Sequence, residues 1–161
     1  MVSPESTTSS PASGTILVAD RFVVDTSVFL RWYVPQPGYE HAREVRQDFL
    51  TGAVELETVD STRFELGHVL RTKGLIKGHL SAAQYRAAVR STDDLGITIH
   101  STDADALERA GELATRCTLR FFDAVLLDRA LQRGMPLLTS DRKLANAVGT
   151  VAPIEILRGI P

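Results

Sequence analysis

The sequence has little of several features that mark common classes of protein. It contains a single cysteine, Cys117, so no disulfide can form within the chain and a reducing compartment is expected. No apolar run approaches the roughly 18–20 residues needed to cross a bilayer. The first residues also lack the basic segment and apolar core of a secretory signal. We therefore expect a cytoplasmic protein with no membrane partner.

A basic excess is absent too, since the formal net charge is −2. Nucleic-acid-binding domains often carry an evident excess of Lys and Arg, so this charge counts weakly against such a role. A protein that holds several carboxylates around divalent metal has a misleading metal-free charge. The glycine-rich patterns GxGxxG and GxxxxGK[ST], which bind nucleotide phosphates, do not occur either.

The organisation of the chain predicts one α/β domain. Its length of 161 residues suits a single compact domain with a sizeable core. The Ser/Thr/Pro-rich residues 1–20 are expected to form a disordered tail, 21–157 the folded domain, and 158–161 the C-terminal end. Strands are predicted before Asp25 and in VELETV, ITIH, PLLT and VAPIEIL, with helices between them, the one from residue 61 stopping at Gly74. This alternation favours a parallel sheet with helices on its faces.

Two acids follow predicted strands, at the sheet edge where ligands usually bind. Asp25 comes after FVV, and Asp141 comes after PLLTS. In open α/β sheets, ligands lie outside the carboxyl ends of the strands. Each acid also has a structural explanation: Asp25 could cap the turn that follows it, and Asp141 could be the N-cap of the last helix.

Asp123 lies within the predicted helix TLRFFDAVLLDRAL. At about 100° per residue, Asp123 shares the apolar face with Leu126 and Leu127, whereas Asp128 is predicted to point the other way. An isolated buried carboxylate is costly, so Asp123 needs a partner. That partner is either a metal ion or a neighbouring cation such as Arg120.

Glu65 allows two interpretations that depend on where its helix begins. If Thr62 is the N-cap, Thr62 and Glu65 form a capping box. If the helix begins earlier, at Asp60 or Ser61, Glu65 is free to face inward beside Phe64.

Carboxylates brought together at one site predict metal-dependent chemistry. Oxygen ligands without His or Cys favour Mg²⁺ or Mn²⁺ over Zn²⁺. Such a cluster suits phosphodiester hydrolysis, because bound metal activates water and offsets the charge of the phosphate. These acids therefore indicate a metal-dependent nuclease or phosphatase.

The segments FVVDTSVFL, RFELGHVL, FFDAVLLDRAL and PLLTSDRKL resemble the acidic motifs of the PIN-domain family, in its order and at similar spacing. Over residues 21–157 the chain resembles in particular the VapC-like toxins of bacterial toxin–antitoxin pairs. Family members commonly start almost directly at the first strand, so the preceding residues of this chain depart from the pattern.

The resemblance implies a three-layer α/β/α fold with a central, mainly parallel sheet. It implies RNA cleavage with Mg²⁺ or Mn²⁺ as cofactor, homodimers, and inhibition by a small antitoxin, for which a hydrophobic groove beside the site would be needed. Ser27 and Thr139 match the supporting hydroxyl positions. The residues that match the metal-binding positions are Asp25, Glu65, Asp123 and Asp141.

Basic residues near these motifs could contact RNA phosphates, or be ordinary surface residues. They are Arg31, Arg120, Arg142 and Lys143. Two other functions stay open: a PIN-fold module that binds RNA or protein without cleavage, and an α/β phosphatase with a nucleophilic Asp. Ser27 occupies the position of the second acid in the phosphatase D-x-D pair, which disfavours the phosphatase.

Overall fold

A computed structural model describes residues 20–161, and the predicted disordered tail falls almost wholly outside the described residues. Its centre is a parallel five-stranded sheet in the order β3-β2-β1-β4-β5. The strands are β1 (Asp20–Val24), β2 (Val54–Val59), β3 (Thr98–His100), β4 (Leu137–Thr139) and β5 (Ile154–Ile156). β1 begins one residue before the predicted domain boundary.

Seven α-helices connect or follow these strands within residues 20–161. They are α1 (Thr26–Arg31), α2 (Tyr39–Leu50), α3 (Ser61–Val69), α4 (Ala82–Asp94), α5 (Ala104–Cys117), α6 (Phe121–Arg133) and α7 (Arg142–Val148). The short α1 was not predicted from the sequence. No helix in this part of the chain is both long and apolar enough to cross a membrane.

The sheet separates two hydrophobic cores, and this confirms the three-layer α/β/α fold. Successive residues of a strand point to opposite faces. Val24 and Leu138 therefore join the core under α1–α4, whereas Val23 and Leu137 join the core under α5–α7. A strand buried on both faces reads as a continuous apolar run, which is the pattern of the FVV and PLL segments.

The strand order places a crevice between β1 and β4. The chain leaves β1 toward one side of the sheet for β2 and β3, and β4 and β5 lie on the other side. Such a reversal point is where open α/β sheets bind ligands. Asp25 follows β1 and Asp141 follows β4, so both reach this crevice.

The helix that starts at Ser61 does not stop at Gly74 as predicted. It continues beyond Val69 as a π-helical turn, Leu70–Leu75. Gly74 serves packing here, because a methyl group in its place would lie 2.6 Å from Leu80 Cδ1.

The prediction that α6 includes Thr118 is wrong. Asp128, predicted to point away from the face of Asp123, does line a different depression, but it is buried there against α5. Thr118 has a left-handed φ of 55° and ends α5, so α6 begins at Phe121. Asp128 is 3% exposed, and Arg109 binds both of its oxygens at 2.8 and 3.0 Å. The pairing arginine lies on α5, which periodicity within α6 does not reveal.

Candidate active site

A pocket of about 460 Å³ opens at the carboxyl ends of β1 and β4. Its acidic lining residues are Asp25, Glu65 and Asp141. Ser27 also lines it, as do the basic residues Arg31, Arg120, Arg142 and Lys143. Thr139 and Asp123 adjoin the pocket through their bonds to Asp25 and Arg120, respectively. The structure thus brings every predicted site residue to one place.

Asp25 is held by hydroxyl groups and does not cap α1. Its side chain makes no capping bond, so the capping alternative is wrong for this residue. Ser27 Oγ and Thr139 Oγ1 both donate to Asp25 Oδ2, at 2.6 and 2.7 Å. Oδ1 accepts no hydrogen bond from any side chain or amide among residues 20–161.

The environment of Asp25 disfavours its charged form. Burial is the largest effect and raises the pKa of Asp25, while the hydrogen bonds from Ser27 and Thr139 lower it. The negative charges of Asp123 and Asp141 raise this pKa further. The net result is a raised pKa, so the ionised carboxylate is one that a cation would stabilise.

Asp141 caps α7, as its structural explanation predicted, and still keeps one oxygen free. Its Oδ1 accepts from the amides of Lys143 and Leu144, at 2.9 and 3.0 Å. Within the described residues, no donor reaches Oδ2. The Asp141 amide in turn donates to Thr139 Oγ1 at 3.1 Å, which fixes this loop against the acid pocket.

Glu65 is not part of a capping box, because its helix begins before Thr62. Asp60 is the N-cap of α3, and its side chain accepts from the Ser61 amide at 2.8 Å. Glu65 is then half-buried at the pocket, whereas Phe64 is 80% exposed. The earlier helix start is therefore confirmed, and the expectation that Phe64 faces inward is wrong.

Glu65 has no cationic partner of its own at hydrogen-bonding distance within residues 20–161. Burial raises the pKa of Glu65, and the charges of Asp25 and Asp123 raise it further, against the opposing effect of Arg120. Because the charge of Asp123 raises the pKa of both Glu65 and Asp25, the acids repel one another across the pocket.

Asp123 is paired with Arg120, the alternative that the sequence left open. The carboxylate lies in the first turn of α6 and is 6% exposed. Arg120 Nε and Nη2 donate to its two oxygens at 2.9 and 3.0 Å. Among residues 20–161, no three carboxylate, imidazole or thiol groups are already close enough to form a metal centre.

The donor set nevertheless fits a hard divalent cation. The available ligands are all carboxylate oxygens, the type that Mg²⁺ and Mn²⁺ prefer. Within the described residues, Asp25, Glu65 and Asp141 each keep at least one oxygen without a donor. Both oxygens of Asp123 accept a bond from Arg120, so a guanidinium already compensates the charge of this acid.

Two of the predicted basic residues are anchored along the pocket wall. Arg31 donates to the carbonyls of Ser27 and Pro37 at 2.8 and 2.7 Å. Arg142 donates to the carbonyls of Ile160 and Pro161, each at 2.8 Å.

Lys73 also lines the pocket, and sequence reasoning missed it. It is carried by the π-helical turn after α3, where the sequence predicted a helix end.

Comparison with known families identifies the domain. Residues 22–149 match the model of the PIN domain, which covers most of the chain. The chain belongs to the PIN-domain family. The match includes Asp25, Glu65, Asp123 and Asp141, the four acids carried by the motifs of this PIN domain.

Solved structures share the fold at low sequence identity. PAE2754 from Pyrobaculum aerophilum has a TM-score of 0.60 and 19% identity, with 80% of this chain and 79% of that chain covered. VapC20 from Mycobacterium tuberculosis, a sarcin-ricin loop cleaving toxin, has a TM-score of 0.62 and 17% identity. Here 78% of this chain and 94% of that chain are covered. Among curated proteins, none matches this sequence.

Proposed function

We propose that this PIN domain is an endoribonuclease that hydrolyses RNA phosphodiester bonds with Mg²⁺, for which Mn²⁺ can substitute. Asp25, Glu65, Asp123 and Asp141 would hold the metal. The observation that carries the proposal is the set of carboxylate oxygens without donors at one pocket that is also lined by basic side chains. Bound divalent metal supplies an activated water and offsets phosphate charge in such sites.

The residues around the acids have separate roles in this proposal. Ser27 and Thr139 fix the orientation of Asp25 through its Oδ2 and leave Oδ1 to the metal. The amides at the start of α7 fix Asp141 in the same way. Arg31, Arg142 and Lys143 contact RNA phosphates, which position the strand but carry no sequence information.

The test is cleavage of a mixed single-stranded RNA pool, with Mg²⁺ or Mn²⁺ and with EDTA. Asp123→Asn is compared with Glu57→Gln, which also neutralises a buried acid but lies outside the pocket. We expect metal-dependent cleavage that is lost in Asp123→Asn and kept in Glu57→Gln. Equal cleavage by the wild type and Asp123→Asn would refute the site.

One observation favours a second candidate, a PIN-fold module that binds RNA or protein without cleaving it. Arg120 binds both oxygens of Asp123, and among residues 20–161 no metal centre is already assembled. Titration with Mn²⁺ separates the two candidates, because the nuclease must bind the ion and the binding module need not. Absence of Mn²⁺ binding would favour the module.

We further propose that the protein is the cytoplasmic, homodimeric toxin of a toxin–antitoxin pair. The support is the resemblance of its motifs to VapC-like toxins and its fold similarity to VapC20. An antitoxin requires a hydrophobic groove beside the site. A groove between α3 and α6, bounded by Phe64, Val69 and Phe122, shares Glu65 and Arg120 with the acid pocket.

The occupant of this groove is tested by measuring the molar mass of Phe64→Ser combined with Phe122→Ser. These side chains are 80% and 56% exposed, so the core should tolerate both changes. If the groove binds an antitoxin and not a second copy of the chain, light scattering will give the double variant the same molar mass as the wild-type oligomer. A change from dimer to monomer would assign the groove to the second copy of the chain instead.

A further inference from the structure

Two aspartates of α6 form arginine pairs of nearly the same geometry. Arg120 binds Asp123 at 2.9 and 3.0 Å, and Arg109 binds Asp128 at 2.8 and 3.0 Å. Both carboxylates are buried, at 6% and 3% exposure. The pairs therefore resemble each other in chemistry and differ in what surrounds them.

Only the first pair borders the acid pocket. Arg120 lines that pocket together with Asp25 and Glu65, whereas Arg109 and Asp128 line a separate depression between α5 and α6. The hydrogen bonds to Asp123 and its charge raise the pKa of Arg120, burial lowers it, and the charges of Glu65 and Asp25 raise it further. Its guanidinium thus sits in the negative field that a divalent cation would occupy.

The two partners differ in freedom to move. The Arg120 side chain is 74% exposed, while that of Asp123 is 8% exposed. Asp123 is fixed in the first turn of α6, and the helix N-terminus favours negative charge there. If the pair separates, the arginine leaves and the carboxylate stays in place.

We infer that Arg120 is a removable counterion that competes with the divalent cation for Asp123. Without metal it satisfies both oxygens of Asp123 and reduces the repulsion among the acids. When metal takes its place, the freed guanidinium remains at the pocket, where it can bind a substrate phosphate. Arg120 is thus a positioning residue whose release accompanies assembly of the site. This inference rests on the proposed metal-binding function.

The first experiment measures Mn²⁺ affinity by calorimetry for the wild type and three variants. Arg120→Gln removes the competitor and should bind Mn²⁺ about fivefold more tightly. This factor corresponds to about 1 kcal/mol, the energy of an exposed ion pair that the metal no longer has to break. Lys143→Gln removes an equal charge from the same pocket without freeing Asp123, so its gain should be smaller. Arg109→Gln removes the geometrically matched pair and should leave the affinity unchanged.

The second experiment follows the arginine side chains directly by NMR. The Nε–H signal of Arg120, assigned from its absence in Arg120→Gln, should shift when Mg²⁺ is added. The Nε–H signal of Arg109 should not move, because its partner Asp128 lies outside the pocket.

The outcomes separate this inference from the function on which it rests. If neither the wild type nor any variant binds Mn²⁺, the proposed metal site itself is refuted. If the wild type binds but Arg120→Gln gains no affinity, the inference fails and the nuclease proposal stands. An equal gain in Mn²⁺ affinity for Lys143→Gln or Arg109→Gln would overturn the inference as well. The effect of Arg120→Gln would then come from the change in overall charge and not from the release of Asp123.

Discussion

Two buried acids lie close to each other in the chain's topology, Asp25 directly after β1 and Glu57 within the adjacent β2, but their surroundings shift their pKa values in opposite directions. They are 6% and 5% exposed. Asp25 has two hydroxyl donors on one oxygen and other acids nearby. Glu57 has donors on both oxygens and every partner is a potential cation.

The partners of Glu57 come from three elements of the chain. Arg133 binds both of its oxygens at 2.8 and 2.9 Å, His100 lies 2.5 Å from Oε2, and Arg21 is 3.3 Å from Oε1. Burial alone would raise the pKa of Glu57, but the bonds and charges of Arg133 and His100 together lower it. The two side chains are similarly shielded from solvent, yet their pKa values shift in opposite directions. Burial outweighs the hydrogen bonds at Asp25, whereas the cationic partners outweigh burial at Glu57.

The difference separates an acid that holds the fold together from an acid left ready for a ligand. A buried charge without an opposite charge costs stability. Acids in that situation are therefore found preferentially at functional sites. Glu57 joins β2 to β3 and α6 and needs nothing more. Asp25 forms no direct ion pair with a cation among residues 20–161, and this is why we place it, not Glu57, in the proposed metal site.

The largest effect that tests this contrast is expected from Asp25→Asn. Metal binding in such sites contributes several kcal/mol to catalysis, so RNA cleavage should fall by about 100-fold or more. The metal-free variant should melt at the same temperature as the wild type or higher at neutral pH, because an uncompensated buried charge is gone. Cleavage assays and thermal unfolding in EDTA check both parts, and wild-type cleavage by the variant would contradict the assignment.

Glu57→Gln should show the converse behaviour. Losing hydrogen bonds to a charged group should cost about 2 kcal/mol, or about 4–8 °C in melting temperature for a domain of this size. Cleavage per folded molecule should stay near the wild-type value, because Glu57 does not line the pocket. Calorimetry and the RNA assay at 20 °C provide the test, and loss of cleavage without loss of stability would remove the contrast with Asp25.

The contrast also shows which parts of the site could be predicted from the sequence. The positions of Asp25 and Asp141 follow from local rules, since each acid directly follows an apolar strand and parallel strands end at one edge. The capping role of Asp141 was visible for the same local reason. Helical periodicity likewise placed Asp123 on a buried face.

Pairing across the fold was not predictable in this way. The partner of Glu57, Arg133, lies 76 residues away, and the partner of Asp128, Arg109, lies on another helix. The spacing of residues within one segment carries no information about contacts between distant segments. Arg120 was within reach of prediction because it lies three residues from Asp123, but the sequence could not decide between an ion pair and a metal.

A smaller effect is expected from Thr139→Val. This change removes the hydroxyl that donates to Asp25 but keeps the shape of the Thr139 side chain. Thr139 is fully buried and donates to Asp25 Oδ2 at 2.7 Å. The loss should cost about 1 kcal/mol of stability and lower cleavage by about tenfold, because Asp25 is then less firmly oriented and the Asp141 amide loses its acceptor. Thr58→Val is the matched control, because Thr58 is equally buried but donates to the Val24 carbonyl. It should lose stability alone, and equal loss of cleavage in the two variants would show that Thr139 has no special role.

The smallest effect is the pH dependence of the two acid variants. Because the pKa of Asp25 is raised in the folded state, its contribution to stability is favourable at low pH and is lost as the pH rises through that pKa. Glu57 has a lowered pKa, so its contribution is present above the ordinary pKa of a glutamate and is lost as the pH falls through the lowered pKa. Urea unfolding in EDTA, followed from neutral pH to about pH 3, should show the advantage of Asp25→Asn shrinking first, as the pH falls through the raised pKa of Asp25. The deficit of Glu57→Gln should shrink only at lower pH, below the ordinary range of a glutamate. If both variants lost their stability differences from the wild type over the same pH range, the two carboxylates would not differ in charge compensation. The argument for Asp25 as the metal-binding acid would then fail.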